Sequence, residues 1–334
     1  MKHSNVAFFI PHAGCPHQCS FCDQKSITGE SRRVEPGEVA AVLEDARQAL
    51  RGKQKASEIA FFGGSFTAVP PAYQESLLKA AYPFVKRGDF SGIRISTRPD
   101  AIDPPVLERL KQYGVKSIEL GAQSMDDRVL VLNQRGHTAQ DVVNASRMIR
   151  EYGFSLGLQM MTGLYGSSPE SDWQTGKKLV LCKPDCVRIY PTVVLKGTKL
   201  GEYYEAGLYS PPDAEQSIPL CAGLLRLFRQ NKIDVIRLGL HDALELKRNL
   251  LAGAYHPAFR EKCQSYLFYK DILARVCAMG QKPSAIEILG NPRELSQIVG
   301  QKRENIQKLR EQGIDARAVP DPSIPSGEIE VKCR

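Results

Sequence analysis

Short apolar segments alternate with segments of helical spacing through the first two thirds of this chain, and this alternation restricts the fold more than any other feature. The apolar segments have the length of β-strands and lie at residues 6–12, 58–64, 92–97, 117–123, 154–161, 186–194 and 235–240. The helical segments lie at residues 36–50, 71–85, 104–113, 141–152, 169–180 and 214–231. Strands separated by helices form βαβ crossovers, so the pattern predicts an α/β fold with a parallel sheet. About six such units indicate a partial (β/α)6 barrel or a doubly wound sheet, and both place their chemistry at the carboxyl ends of the strands.

The pattern changes twice along the chain. Residues 1–240 hold the alternating segments, and the Tyr- and Leu-rich residues 241–282 predict a helical connector. Residues 283–334 predict a small module of order β-α-α-β, with a turn at residues 300–303 between its two helices. A module of about 50 residues is small for independent stability.

The composition is that of a folded protein. Of the 334 residues, 42% are hydrophobic and 25% are charged, which excludes disorder as the main state. The net charge of +8 is spread along the chain, so it permits a polyanionic partner such as RNA without requiring one. No apolar segment reaches 18 residues, and the start is too short for a signal peptide, so we expect a cytoplasmic protein that does not enter a membrane. In a reducing compartment, nine cysteines are more typical of ligands, nucleophiles or core residues than of disulfides.

Three cysteines stand within eight residues, Cys15, Cys19 and Cys22, in the spacing C-x3-C-x2-C. Three thiolates on one loop can hold three corners of a cubic iron–sulfur cluster, which is normally held by four cysteines. One iron is then left without a protein ligand and is open to a substrate or cosubstrate. The alternative is a zinc site completed by His12 or His17, although structural zinc prefers paired C-x2-C ligands.

Glycines and polar residues end the next three strands of the predicted sheet. They are Gly63, Gly64, Ser65, Thr97, Arg98 and Gln123. Two adjacent glycines let backbone groups approach a ligand closely, and hydroxyl, guanidinium and amide groups suit ribose and carboxylate. Each also has a plainer explanation: a tight turn, a helix cap with a surface ion pair, or a strand end. Their shared position predicts a ligand site beside the cysteines.

The cysteine spacing resembles that of the radical S-adenosylmethionine (SAM) superfamily, and Phe21 stands where an aromatic residue usually precedes the third cysteine. The resemblance implies a [4Fe–4S] cluster on Cys15, Cys19 and Cys22, with S-adenosylmethionine chelating the fourth iron. An electron from the cluster would cleave the sulfonium to a 5′-deoxyadenosyl radical, so the cofactor would carry the difficult step. A reductant such as flavodoxin or ferredoxin would supply that electron. The resemblance places Gly63, Gly64 and Ser65 near the methionine end, and makes Thr97, Arg98 and Gln123 candidates for the carboxylate or ribose.

Six motifs resemble, in order, the radical domain of the Elongator catalytic subunit, which modifies the wobble uridine of tRNA. They lie at residues 62–67, 96–100, 121–124, 133–137, 188–192 and 237–241. The resemblance covers about residues 5–245. The Elongator subunit has a long insert between its first two cluster cysteines, whereas three residues separate Cys15 from Cys19. No acetyl-CoA loop follows the radical half, so the chain resembles a stand-alone bacterial type and acetyl transfer is not implied.

Residues 298–306 resemble the turn of KH domains, in which a GxxG loop between two helices clamps an RNA backbone. Arg303 stands in place of the second glycine, where it crowds the approach of a backbone but adds a cation. The alternative is a helical hairpin that covers the barrel.

These features predict a radical SAM enzyme that acts on RNA, with tRNA as the expected substrate and no catalytic side chain assigned. One alternative is a coproporphyrinogen-oxidase-like enzyme acting on a small molecule, because that branch shares the cysteine spacing and a C-terminal helical domain. Another is an RNA-binding protein whose cluster is structural. Cys182 and Cys186 are too few for a second cluster, and Trp173 is expected to be a packing residue.

Overall fold

A computed structural model describes residues 4–10, 15, 18–23, 32–50 and 57–334 of the chain. Its largest sheet has seven parallel strands in sequence order. They are β1 (Ser4–Ile10), β2 (Ser57–Gly63), β3 (Ile93–Thr97), β4 (Val115–Gln123), β5 (Ser155–Thr162), β6 (Cys186–Pro191) and β8 (Asp234–Leu238). A doubly wound sheet reverses its strand order at a switch point. The order here never reverses, and the sheet curls into the predicted partial barrel.

Helices join the strands, and several begin where the sequence supplies a proline or a capping side chain. They are α1 (Pro36–Ala49), α2 (Pro71–Lys86), α3 (Pro104–Gln112), α4 (Asp127–Leu132), α5 (Ala139–Glu151), α6 (Pro169–Leu181), α7 (Lys199–Glu205) and α8 (Ala214–Gln230). Thr138, Ser168 and Asp213 form reciprocal capping boxes at α5, α6 and α8. These caps satisfy backbone N–H groups that a helix start leaves without partners.

Side chains alternate between the two faces of each strand, and this alternation separates the apolar core from a polar interior. Ile59 and Phe61 of β2 and Ile93 and Ile95 of β3 belong to the main hydrophobic core. The charged groups of the barrel interior alternate with these core residues, as with Glu58 of β2 and Arg94 of β3. The inner face of the sheet is therefore polar although most of its residues are buried.

The region predicted to be a helical connector contains a strand. It holds α9 (Leu244–Asn249), β9 (Leu250–Gly253) and α10 (Phe259–Ala278). Strand β9 pairs antiparallel with β7 (Val193–Leu195), which is separated from β6 by Thr192 alone. The Thr192 hydroxyl donates a hydrogen bond to the Thr162 carbonyl, 2.7 Å away, at the point where the chain leaves the parallel sheet.

The C-terminal part contains the predicted order β10 (Ala285–Gly290), α11 (Leu295–Val299), α12 (Glu304–Glu311) and β11 (Asp315–Pro320). A further strand, β12 (Ile329–Cys333), completes a three-stranded sheet in the order β11-β10-β12. Helix α10 serves both cores: Phe259 and Cys263 pack in the main core, and Phe268, Ile272 and Val276 pack in the small one. The long helix thus supplies apolar surface that about 50 residues could not provide by themselves.

Among the described residues, no helix has both the length and the apolar character needed to cross a membrane.

Candidate functional site

An open cleft of about 620 Å³ lies at the carboxyl ends of the first strands of the partial barrel. All nine residues that the sequence singles out line it: Cys15, Cys19, Cys22, Gly63, Gly64, Ser65, Thr97, Arg98 and Gln123. Phe21, Gly121, Arg135 and Gln159 are also on its walls. The carboxyl ends of parallel strands meet at one edge of the sheet, which explains how residues more than 100 positions apart share one cleft.

The cysteine loop is attached to the barrel through Ser20, which is fully buried. The Ser20 amide donates to the Asn133 carbonyl at 3.1 Å, and the Ser20 hydroxyl donates to Asn133 Oδ1 at 2.8 Å. The Leu200 amide of α7 donates to the Ser20 carbonyl at 2.7 Å. The Asn133 side chain in turn donates to the carbonyls of Val129 and Tyr165. These bonds fix the position of the segment that carries Cys19 and Cys22.

Arg135 is a residue of this cleft to which sequence reasoning gave no role. Its Nη1 donates to Cys19 Sγ at 3.0 Å, and its Nη2 donates to the Gly121 carbonyl at 2.6 Å. Its guanidinium also lies 5.9 Å from the centre of the Phe21 ring. Arg135 belongs to the motif at residues 133–137 that the sequence already singled out. Sequence alone does not show that an arginine after β4 reaches the cysteine loop.

Gly63, the last residue of β2, has a backbone reason for being a glycine. Gly63 has φ +102°, and a Cβ there would lie 3.1 Å from the backbone N and O of Ile10. The Gly64 amide donates to the Ile10 carbonyl at 2.7 Å. Next to them, the Ser65 hydroxyl lies 3.6 Å from Cys15 Sγ, within hydrogen-bonding distance for sulfur. The turn therefore joins β1, β2 and the first cysteine.

Thr97 and Arg98 line the cleft, but both make internal bonds. The hydroxyls of Thr97 and Thr67 are hydrogen-bonded at 2.6 Å. Arg98 forms two bonds to the Asp100 carboxylate, and its Nη2 donates to the Arg135 carbonyl at 2.7 Å. Arg98 is therefore engaged in positioning the segment that carries Arg135.

Gln123 has a left-handed backbone conformation, and its side-chain oxygen has no hydrogen-bond partner among the described residues. Its φ is +62°, and the register between β4 and β5 shifts between Gly121 and Gln123. Such irregularities are frequent beside active sites because they redirect a side chain. The Gln123 Oε1 atom is buried and has no hydrogen-bond partner among the described residues. An acceptor in this state points to a donor supplied by a ligand.

His137 is buried behind the cleft. Its Nε2 lies 3.2 Å from the Ala122 carbonyl, while its Nδ1 is buried without a partner among the described residues. Burial, together with the charge of Arg135, lowers the pKa of His137 to about 4. The imidazole is therefore neutral at pH 7, with the proton on Nε2.

The glycine-containing loop after β5 is fixed from behind and does not line the cleft. The Gly163 amide donates to Asp172 Oδ2 at 2.7 Å, and the Ser167 hydroxyl lies 3.3 Å from the same oxygen. Burial raises the pKa of Asp172 to about 6 despite these bonds. The loop supports Asn133 through the Tyr165 carbonyl and in this way supports the cysteine segment.

A network of buried charges fills the barrel interior below the cleft. Arg94 Nε donates to Glu58 at 2.6 Å, and Arg94 Nη1 donates to Glu119 at 3.1 Å. Arg188 binds both oxygens of Glu119, at 2.6 and 2.9 Å, and Gln159 donates to it at 2.9 Å. Burial raises the pKa of Glu119, but the bonds and charges of Arg188 and Arg94 outweigh it and hold that pKa below its usual value. Two carboxylates thus balance two guanidinium groups.

The three cysteine thiols suit a cluster rather than one ion. Burial raises the pKa of Cys22 to about 12, with a further contribution from Cys19 and Cys15, so three thiolates here require a strong positive charge. Within the described residues, no three His, Cys, Asp or Glu side chains are arranged to hold a single metal ion. His12 and His17 lie outside those residues. An iron–sulfur cluster instead presents a separate iron to each cysteine.

The second cysteine pair, Cys182 and Cys186, and the tryptophan have packing positions. Cys186 is buried at the start of β6, and Cys182 directly follows α6, where its thiol donates to the Lys178 carbonyl. Both are free thiols. Trp173 packs against the main core, as the sequence predicts.

Two family models match consecutive parts of this chain. Residues 9–179 match the model of the radical SAM superfamily, and residues 184–268 match that of the radical SAM C-terminal domain. A tRNA uridine(34) acetyltransferase of Dehalococcoides mccartyi is 28% identical over 306 residues, which cover 78% of this chain and 66% of that protein. An uncharacterized protein of Methanocaldococcus jannaschii is 31% identical over 240 residues, covering 67% of this chain and 73% of that protein.

The fold agrees with a solved relative. The structure of Methanocaldococcus infernus Elp3 with an N-terminal deletion superposes with a TM-score of 0.65 at 20% identity. The match covers 81% of this chain and 64% of that one, so the chain spans about two thirds of these relatives. With the family model matching over half of its length, the chain belongs to the radical SAM superfamily of enzymes and is homologous to the radical domain of the Elongator catalytic subunit.

Proposed function

We propose that this protein modifies tRNA by radical chemistry that starts from S-adenosylmethionine bound to a [4Fe–4S] cluster. The observation that carries the proposal is the convergence of the three cysteines, the two glycines and Gln123 on one cleft. These residues come from three separate segments of sequence. A purely structural turn, cap or strand end does not require them to face one another.

Cys15, Cys19 and Cys22 would hold three irons of the cluster and leave the fourth open to S-adenosylmethionine. When bound, the cluster supplies the single electron that cleaves the sulfonium, and a flavodoxin or ferredoxin is the expected class of donor. Arg135 donates to the Cys19 sulfur and balances negative charge there. Gly63 and Gly64 keep the wall beside Cys15 free of side chains, and the unpartnered Gln123 Oε1 accepts from the amino or hydroxyl groups of the cosubstrate.

The tRNA substrate is inferred from the relatives. Proteins of Dehalococcoides mccartyi and Methanocaldococcus jannaschii that match this chain are tRNA uridine(34) acetyltransferases. The matched part covers 66% of the first protein and 47% of the second. The proposal therefore takes tRNA as the substrate class from them and leaves their acetyl transfer aside.

The first experiment tests the cluster. Anaerobic reconstitution of the wild-type protein should give about four irons per chain and, with dithionite, formation of 5′-deoxyadenosine. Cys19→Ala should lose both, whereas Cys277→Ala, which changes an exposed thiol on α10, should keep both. A wild-type protein that retains one zinc and no iron overturns the proposal.

The second experiment tests the substrate. The reconstituted protein is incubated with tRNA from cells that lack its gene, and the nucleosides are analysed by mass spectrometry. We expect one nucleoside to change mass and 5′-deoxyadenosine to increase when tRNA is added. Consumption of a porphyrinogen instead of tRNA supports the small-molecule alternative, and tRNA binding without 5′-deoxyadenosine supports a structural cluster.

A further inference from the structure

A second cleft, of about 760 Å³, lies beside the last strand of the half-barrel. Its walls come from the end of β8, the start of α10 and Gln297 of α11. It shares no lining residue with the cysteine cleft. Arg237 and Arg260 face it, together with His256, Gln264 and Glu261.

Arg237 has donor atoms that no other group uses. Its Nε and Nη2 are buried and have no hydrogen-bond partner among the described residues. Arg237 pairs in register with Arg188 on the adjacent strand, and Arg188 is bound by both oxygens of Glu119. Burial and the charge of Arg188 lower the pKa of Arg237, while Tyr190 acts in the opposite direction. The charge of Arg188 is thus balanced by a carboxylate, whereas the Nε and Nη2 atoms of Arg237 have no such partner among the described residues.

Further cations lie close to Arg237. Arg260 Nη1 donates to the Val235 carbonyl at 2.6 Å. Burial lowers the pKa of Arg260, and the charges of Arg229 and Arg237 add to this effect. The opposing carboxylates are Asp234 near Arg260, Glu294 near Arg229, and Glu261 on the cleft wall. Arg260 is thus near enough to Arg229 and to Arg237 to be repelled by both.

The imidazole of His256 adds a hydrogen-bond donor to the cleft. His256 Nδ1 accepts from the Ala258 amide at 3.0 Å, which leaves the imidazole proton on Nε2. Gln297 Oε1 is also buried without a partner among the described residues, but it is an acceptor and adds nothing to this donor set. Guanidinium and imidazole N–H groups around an unneutralised positive charge form the donor set that binds a phosphate.

The cleft continues toward the KH-like turn. Glu261 borders both this cleft and a small cavity lined by Gln301. In the turn, Gly300, Lys302 and Arg303 all have positive φ, at +83°, +52° and +65°. Lys302 and Arg303 are exposed. The two cations therefore extend the positive surface beyond the cleft.

We propose that the second cleft, lined by Arg237 and Arg260, binds a backbone phosphate of the RNA substrate. The RNA strand then continues from this phosphate toward the turn at residues 300–303. The inference rests on the proposed function for the identity of the polyanion. It adds a binding position for the RNA backbone on the β8 side of the half-barrel, away from the cysteine cleft. Because the bound group is a phosphate rather than a base, the contact is independent of nucleotide sequence.

The test measures binding of fluorescein-labelled tRNA to the reconstituted protein by anisotropy at several salt concentrations. Arg237→Gln and Arg260→Gln should each raise the Kd about tenfold and reduce the salt slope by about one. Arg237→Lys should restore part of the affinity. The matched control is Arg87→Gln, an exposed arginine paired with Asp89, which should leave the Kd unchanged.

Two further measurements separate the outcomes. A structural arginine would lower the thermal unfolding midpoint when replaced, whereas removing the unpartnered Arg237 should leave it unchanged or raise it. A single-stranded RNA oligonucleotide should displace tRNA at far lower phosphate concentration than inorganic phosphate does. If the oligonucleotide and inorganic phosphate displace tRNA equally well, the assignment of RNA as the ligand is wrong. If both arginine variants bind tRNA with the wild-type Kd, the assignment of this cleft as the binding site is wrong. Failure of the wild-type protein to bind tRNA contradicts the proposed function instead.

Discussion

The barrel interior and the cleft above it are both polar and buried, but they differ in how their polar groups are satisfied. Below, Glu58, Arg94, Glu119 and Arg188 form a closed set of ion pairs. Above, buried atoms of Gln123 and Arg135 lack partners among the described residues. Buried polar groups are normally hydrogen-bonded, so unpartnered atoms mark positions that a ligand completes. The closed set stabilises the fold, and the open set is available for binding.

The largest expected effect on stability comes from removing one carboxylate from the closed set of ion pairs. Glu119→Gln keeps the shape of the side chain but leaves Arg188 without its carboxylate, because Glu119 receives both of its bonds. Breaking a buried ion pair by removing one partner costs about 3–5 kcal/mol, and urea unfolding should show a loss of this size. Glu330→Gln, in an exposed pair with Lys332, should cost below about 0.5 kcal/mol. Equal losses in the two variants would contradict the structural role of the network.

The next effect concerns pH and the neutral histidine behind the cleft. Burial lowers the pKa of His137 from 6.5 to about 4, so the unfolded chain binds more protons than the folded chain between these values. The contribution of His137 to stability should therefore fall by about 3 kcal/mol as the pH decreases from 6.5 to 4.

Asp172 acts in the opposite sense, because burial raises its pKa to about 6 and the folded chain then holds the extra proton. The comparison that isolates His137 is urea unfolding of the wild type and His137→Gln across this pH range. The stability of the wild type minus that of His137→Gln should decrease as the pH falls. A difference that stays constant would show that His137 does not titrate on unfolding.

A third comparison uses two glycines with positive φ. At Gly63 a Cβ would lie 3.1 Å from the Ile10 backbone, whereas at Gly153, with φ +82°, nothing lies within 4 Å. Gly63→Ala should cost about 2–3 kcal/mol and Gly153→Ala about 1 kcal/mol. Only the first variant should also lose affinity for S-adenosylmethionine. If both cost the same, the close approach of β1 and β2 is not what requires Gly63.

The fourth comparison concerns Arg135, which belongs to the open set through its unpartnered Nε but donates to Cys19 Sγ. Hydrogen bonds to cluster sulfurs raise the reduction potential. Arg135→Met should therefore make the potential more negative by about 60 mV, a tenfold change for one electron. A redox titration followed by EPR measures this, and Arg128→Met, which removes an exposed bond to the Gly166 carbonyl, is the control. An unchanged potential would mean that the bond is lost when the cluster binds.

The sequence predicts one of these regions much better than the other. Alternation of strands and helices indicates which strands are parallel and which ends share an edge, and this is sufficient to bring Cys15, Gly63 and Gln123 together. It does not show which polar side chains pair inside the barrel. Glu58 and Arg94 are 36 residues apart, and nothing local relates them. The role of Arg135 depends on a contact across 116 residues, so it too is visible only in the fold.

Two strands outside the main sheet, β9 and β12, were also missed, for a related reason. Residues 250–253 form β9 because β7 is available as a partner, and residues 329–333 form β12 because β10 has a free edge. Strand formation in such short segments depends on the neighbouring strand more than on propensity.

The smallest effect separates two glutamines that line the same cleft. Gln159 donates to Glu119 and belongs to the closed set, whereas Gln123 Oε1 has no partner among the described residues. Gln159→Leu should lower stability by about 1–2 kcal/mol because a charged acceptor loses its donor. Gln123→Leu should change stability by less than about 0.5 kcal/mol, since the buried acceptor it removes was already unsatisfied. Equilibrium dialysis of S-adenosylmethionine should show the weaker binding in Gln123→Leu. If Gln123→Leu is instead the less stable variant and binds the cosubstrate normally, an unpartnered atom is no guide to ligand contact in this cleft.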